Sequence, residues 1–238
     1  MRFFMSDIRA ALAALVLYAL AGSAVAASGP APGAGLEVLL VSQRGGPNRA
    51  QDDAVATRLR QRGYRVRLED QTLAPDRAAG AGLVIISSSV SSKDVAPGWR
   101  QLPVPLLTWE NDLLDDLAMA GKRHDVDFGS VAKERYLWLV NAPHAMSAGL
   151  PAGVANVHLK QAGMSWGKPG LGATLIATLY GQPEKAAIFG YETGATMDYE
   201  TLAPARRVMF FLDNDTFGNL SPTGLRLFDA AVDWAAGR

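Results

Sequence analysis

The sequence predicts an α/β fold: a doubly wound, mostly parallel sheet with helices packed on both faces and an antiparallel extension in the second half. Three observations carry this reading. Residues 36–42, 81–87 and 104–109 are nearly continuous apolar runs, the pattern of strands buried on both faces of a parallel sheet. Segments with helical spacing alternate with these runs, as they do in chains that build parallel β-α-β units. Beyond residue 134 the pattern changes to short strand-like runs divided by Pro and Gly turns, which suits antiparallel pairing.

In chain order, residues 36–42 (LEVLLVS) give the first strand, which ends at turn formers from Gln43 to Asn48. Residues 50–62 place Ala54, Val55 and Leu59 at helical spacing and stop at Gly63. Residues 64–68 (YRVRL) alternate, as a strand nearer the sheet edge does. Residues 81–87 form the third strand and leave through a serine-rich exit, SSSVSS. Residues 104–109 form the fourth, which turns sharply at Glu110 into a helix over residues 112–120. The strand-like runs of the second half are residues 135–140, 154–160, 173–180 and 186–191. Residues 207–212 (RVMFFL) restore the buried-strand pattern. A final helix follows, with Ser221 as N-cap, Pro222 at its first position, and Leu225, Phe228, Val232 and Ala235 on one face.

The amino-terminal segment is expected to stand apart from the fold. Arg2 and Arg9 flank a short amino-terminal region, and the apolar run that follows over residues 10–22 is shorter than the roughly 20 residues of a comfortable membrane span. It leads to Ala24-Val25-Ala26, a small-x-small signal-peptidase pattern. Residues 1–26 therefore read as a signal peptide, with an uncleaved anchor as the alternative. Residues 27–35 read as a flexible Gly/Pro-rich lead-in and residues 36–238 as one domain. The expected location is periplasmic or secreted, with no membrane attachment after cleavage. The chain has no cysteine, which excludes both a lipidated cysteine and disulfides, and a domain of this size builds its core without such staples. Lys and Arg number 23, as do Asp and Glu, and losing the leader leaves one acid in excess. No basic stripe appears, so nucleic acid is not an expected partner.

In an open α/β sheet, ligands bind outside the carboxyl ends of the strands. The turn after the fourth strand puts Glu110 there, as a catalytic general base, a metal ligand or an acceptor for a sugar hydroxyl. The alternative is a carboxylate capping the acidic start of the next helix. Asp213 and Asp215 leave the last strand at the same end, unless they serve only an Asx turn. Ser88 offers a hydroxyl at the mouth of the third strand. Glu192 follows another strand and is placed at the same rim, or in an ordinary hairpin loop. Trp109, Trp166 and Tyr191 offer flat faces suited to a sugar ring, with core packing as the alternative. His124, His144 and His158 lack the spacing of a metal pair and read as structural or solvated, and Gly45-Gly46 fits no phosphate-binding motif. No metal or cofactor is expected.

The strand entering Thr108-Trp109-Glu110, the turn over residues 142–151 (APHAMSAGLP) and the strand-helix ending over residues 205–236 together resemble the class I glutamine amidotransferase-like superfamily. Within it, the chain looks most like the ThuA-like (trehalose utilisation) branch and the amidotransferase-like domains of secreted bacterial proteins. The resemblance implies a flavodoxin-like three-layer sandwich over residues 36–234. It also sets Thr108 and Glu110 where a G-x-C-x-G elbow carries its first Gly and its Cys, and residues 212–215 (LDND) where a His and a Glu are expected. His144 lacks the Pro that follows the histidine in the ThuA-like turn. No Cys-His-Glu triad can form, so glutamine amidotransferase activity is not expected. The functional expectation is an exported protein that binds a small polar ligand, such as a carbohydrate, at a rim of Glu110, Asp213 and Asp215. The alternatives are a carboxylate-dependent hydrolase or sugar-modifying enzyme, and an interaction module of the cell envelope.

Overall fold

Among the described residues, the apolar runs become the centre of one mixed sheet of eleven strands, accompanied by two α-helices. The structure, a computed structural model, describes residues 31–238; the expected signal peptide and residues 27–30 lie outside them. Strands β1 (Glu37–Ser42), β2 (Arg65–Asp70), β3 (Leu83–Ile86), β4 (Leu106–Thr108) and β11 (Arg207–Met209) lie side by side in the order β2-β1-β3-β4-β11, all parallel. β1, β3, β4 and β11 are almost wholly buried, as their continuous apolar runs require. β2 alternates because it is the sheet edge.

The sheet then reverses direction. β10 (Gln182–Tyr191) pairs antiparallel with β11, and β9 (Thr174–Leu179), β6 (Tyr136–Leu139) and β7 (Gly153–Asn156) follow in antiparallel order. A side ladder joins β5 (Phe128–Glu134) to β8 (Ala162–Gly167), which also touches β10. The expected mostly parallel sheet is therefore divided into a parallel half and an antiparallel half.

The flanking layers differ from expectation as well. Helices α1 (Arg49–Gln61) and α2 (Pro222–Ala235) share one face, where Val55, Leu59, Phe228 and Val232 pack on Val38, Leu40, Leu107 and Val208. They are tied together by Arg58 and Arg62, which pair with Asp229 and Asp233, and by the Tyr64 hydroxyl, which donates to Asp233 at 2.7 Å. Ser221 caps α2 as expected, accepting from the Gly224 N–H at 3.1 Å. Among the described residues, the opposite face carries no α-helix. There, Leu39, Val41, Val84, Ile86 and Met209 are covered by turns and single 3-10 turns bearing Val90, Trp99, Leu102, Leu113 and Leu117.

The helix expected over residues 112–120 is thus a single 3-10 turn, Asn111–Leu113, followed by further turns. The reason is packing. Leu117, Ala118, Met119 and Ala120 are all buried, and four consecutive buried residues cannot lie on one stripe of a surface helix. Ala118 takes φ +57° to bring them in.

Two further contacts fix the margins of the fold. Gly33 is buried against Tyr64 and its N–H donates to the Arg62 carbonyl at 3.0 Å, so packed chain begins ahead of Leu36. Arg207, with no exposed surface, gathers the carbonyls of Arg100, Leu102, Val104, Ala205 and Arg206 around its guanidinium. It joins the start of β11 to the segment leading into β4. Among the described residues, no helix is long and apolar enough to cross a membrane.

Candidate functional site

Parallel register brings the ends of β3, β4 and β11 to one level, with Ile86 opposite Thr108 and Thr108 opposite Met209. The segments leaving these three ends enclose an open cleft of about 440 Å³. Ser88, Glu110 and Asp213 line it, one from each strand exit. The other walls are polar too, with Ser91, Lys93, Asn111, Asp112 and His124 among them.

Glu110 is held by its backbone neighbours. Its N–H donates to the Thr108 hydroxyl at 3.0 Å, and that hydroxyl donates to the Ile86 carbonyl at 3.0 Å, tying the elbow to β3. Its side-chain Oε1 accepts the Asp112 N–H at 3.0 Å, so Glu110 caps the 3-10 turn that replaces the expected helix. The residue is 6% exposed. Burial pushes its carboxyl up to about 8; the Asp112 N–H opposes that, and the Asp112 and Asp213 carboxylates add to it. At neutral pH Glu110 is largely a protonated acid, able to donate as well as accept.

Asp213 lies half-buried opposite. Its Oδ1 accepts the Asn214 N–H at 2.7 Å, one residue on and not the two of an Asx turn, and its own N–H donates to the Thr216 hydroxyl at 2.8 Å, so a tight local turn and the cleft position coexist in one residue. Gly163 on β8 makes room for it, because a methyl group there would overlap the Asp213 carboxylate. Gly163→Ala is accordingly expected to displace Asp213 and weaken ligand binding in the cleft about tenfold or more, while stability changes by under about 1 kcal/mol. Calorimetric titration beside thermal unfolding checks this, and unaltered affinity would show that the Asp213 position does not matter.

Several expected site residues lie elsewhere. Trp109 is 3% exposed and points to the helical face, edge-on to Phe228. Trp166 is fully buried, with Lys185 above its ring. Tyr191 is also fully buried, donating to the Met119 carbonyl and accepting the Gly170 N–H. Among the described residues, no Trp, Tyr or Phe ring therefore lines the cleft. Glu192 stands at the far end of the sheet, since β10 runs antiparallel to β11, and there it pairs with Arg206 at 2.8 Å. Asp215 is exposed and is not part of the cleft wall.

The histidines divide. His144 accepts the Met146 N–H and His158 is buried against Phe211, and burial lowers the pKa of both. His124 reaches the cleft, 3.5 Å from Asp112. Reading residues 112–120 as a helix hid Asn111 and His124, because only the folded-back turn returns the chain to the rim. The serine-rich exit was the one readable signal for Ser91. Asp52 was missed too; it lies buried behind the serine exit, accepting from Ser87 Oγ at 2.6 Å, and Ser87 Oγ in turn accepts the Ser89 N–H. Among the described residues, no group of three His, Asp or Glu side chains is placed to hold a metal ion.

No family model and no curated protein matches the chain. Among solved structures, the mmIFT52 N-terminal domain aligns with a TM-score of 0.54 at 9% identity, covering 85% of this chain and 98% of that one. A Thermoplasma acidophilum protein described as part of a GMP synthase aligns with a TM-score of 0.49 at 12% identity, covering 85% of this chain and 94% of that one. The mmIFT52 domain shares the fold of this chain. Activity does not follow from a shared fold and has to be argued from the site.

Proposed function

We propose that this chain is an exported, amidotransferase-like protein of the ThuA-like kind, without amidotransferase chemistry, that binds a small polar ligand of the carbohydrate class. The observation that carries the reading is the convergence of Ser88, Glu110 and Asp213 on one polar cleft at the carboxyl ends of the parallel strands. Hydroxyl, carboxyl and amide groups on opposing walls match the alternating donors and acceptors of a sugar. The elbow after β4 carries Glu110 where a thiol nucleophile would stand, and the chain has no cysteine to supply one. Calorimetry against a panel of mono- and disaccharides tests the reading. Wild-type binding with Kd below about 1 mM is expected, lost in the Glu110→Ala, Asp213→Ala double variant. Binding that survives both substitutions would place the ligand elsewhere.

A second reading, a carboxylate-dependent hydrolase, is favoured by one feature. A largely protonated Glu110 facing Asp213 is the kind of acid that can protonate a leaving oxygen. Turnover of nitrophenyl glycosides that disappears in Glu110→Gln would support catalysis; absence of turnover across the panel would leave binding alone.

A further inference from the structure

The walls of the polar cleft are unbalanced in charge. Asp112 and Asp213 both line it, and the field of each carboxylate reaches the Glu110 carboxyl. No cation offsets them at that point. Lys93 lines the cleft from an exposed position and forms no salt bridge among the described residues. The His124 ring lies 3.5 Å from Asp112 and 3.2 Å from Asp125, which leaves Asp213 without a positive partner among the described residues.

The atoms left unused here are chiefly oxygens. Glu110 is 6% exposed; its Oε1 takes the Asp112 N–H, and its Oε2, on the cleft wall, has no partner among the described residues. Asp213 uses Oδ1 for the Asn214 N–H, while Oδ2 lies over Gly163 with no donor. The Ser88 hydroxyl, on a residue 5% exposed, bonds to nothing, and a turn about χ1 presents its oxygen to the cleft. Buried polar groups are rarely left in this state unless something else completes them. A neutral hydroxyl can bond such oxygens but leaves the negative charge uncompensated. An alkylammonium brings three donors and a full positive charge.

We propose that the cleft takes an amino sugar, whose ammonium sits against Asp213 and Glu110 with Ser88 as its third acceptor, while Asn111 and Ser91 bond the ring hydroxyls. The proposal rests on the carbohydrate reading of the cleft and narrows it to sugars bearing a free amine. Asp213 supplies the selecting charge, and Gly163 the space in which its carboxylate lies. An ammonium beside Glu110 favours the ionised carboxylate, so the proton held there by burial and by Asp112 and Asp213 leaves for solvent. A neutral sugar leaves that proton in place.

Calorimetry at about pH 7, where the amine is still largely protonated, tests the proposal with glucosamine, galactosamine and mannosamine, each beside its parent hexose and its N-acetyl derivative. In at least one trio the free amine is expected to bind about tenfold or more tightly than both neutral members. Buffers of different ionisation enthalpy are expected to show protons released by the wild type that Glu110→Gln does not release. Asp213→Asn is expected to bring the amine preference within about twofold of one. Should that variant unfold, about 0.5 M NaCl on the wild type reads the same contact, and is expected to shrink the preference at least threefold by screening. Equal affinities in every trio overturn the amino-sugar site, while neutral sugars that bind keep the carbohydrate reading intact. A preference that survives Asp213→Asn or salt, or a proton count that Glu110→Gln leaves unchanged, also overturns it. If no sugar binds, the amino-sugar site and the carbohydrate reading fall together.

Discussion

Replacing Arg207 with Met is expected to remove about 3–5 kcal/mol of folding stability. The side chain has no exposed surface, and no carboxylate pairs with it among the described residues. Its charge is instead spread over five backbone carbonyls, at 2.7–3.3 Å. Burial pulls the guanidinium pKa down to about 10, which still leaves it charged at neutral pH. Methionine fits the volume and avoids desolvating a cation, but it takes a donor away from carbonyls in two separate stretches of chain, residues 100–104 and 205–206. Arg207→Lys is expected to fail nearly as badly, because a single ammonium cannot replace the planar fork that reaches both Val104 and Leu102. Urea unfolding of the three proteins checks this. A methionine variant within about 1 kcal/mol of wild type would show that the carbonyls find other partners.

Glu110→Gln is expected to stabilise the protein, and to do so increasingly with pH. A carboxyl raised by burial from 4.5 to about 8 is neutral in the folded protein over a range where the unfolded chain ionises freely. The sign follows from proton binding. The contribution of Glu110 is fully present below the unfolded value and is lost as pH rises through the folded one. Glutamine keeps the Oε1 acceptor for the Asp112 N–H and cannot ionise. The two proteins are thus expected to be equally stable near pH 4, to diverge between 4.5 and about 8, and to stay a constant interval apart above that. The ceiling on that interval is about 5 kcal/mol. Water entering the open cleft reduces it, and a gain of about 2 kcal/mol at pH 9 is expected. A difference that does not vary with pH would mean that Glu110 titrates as an ordinary surface acid.

The parallel half of the sheet was legible because strands buried on both faces leave unbroken apolar runs, and α1 and α2 because their apolar spacing and caps agree. β5 and β8 were not legible: FGSVAKE and AGMSWG are rich in small residues and carry no alternating pattern. Residues 112–120 misled for the opposite reason, since Leu and Asp at helical spacing are equally suited to a turn that buries everything but its acids. Strand direction decided the site. Glu110, Asp213 and Ser88 follow parallel strands and meet as expected. Glu192 follows a strand that the sequence places in the antiparallel half without recording which of its ends meets the rim. Trp109 was misplaced because the residue before an elbow faces the layer opposite the one after it, and here that layer is α2.

The layer opposite the helices has one more consequence, for motion. α1 and α2 hold their shape through internal ladders and through the Arg58, Arg62, Asp229 and Asp233 network. The turns that cover the other face bury their apolar side chains as well, but as single 3-10 turns they lack the repeating backbone ladder of a helix. One side of the polar cleft, from Ser88 to Lys93 and at Asn111 and Asp112, is walled by these turns. Hydrogen exchange is therefore expected to be faster at the buried amides of these turns than at those of α1 and α2, which leaves one wall of the cleft free to adjust while the helical backing holds the sheet.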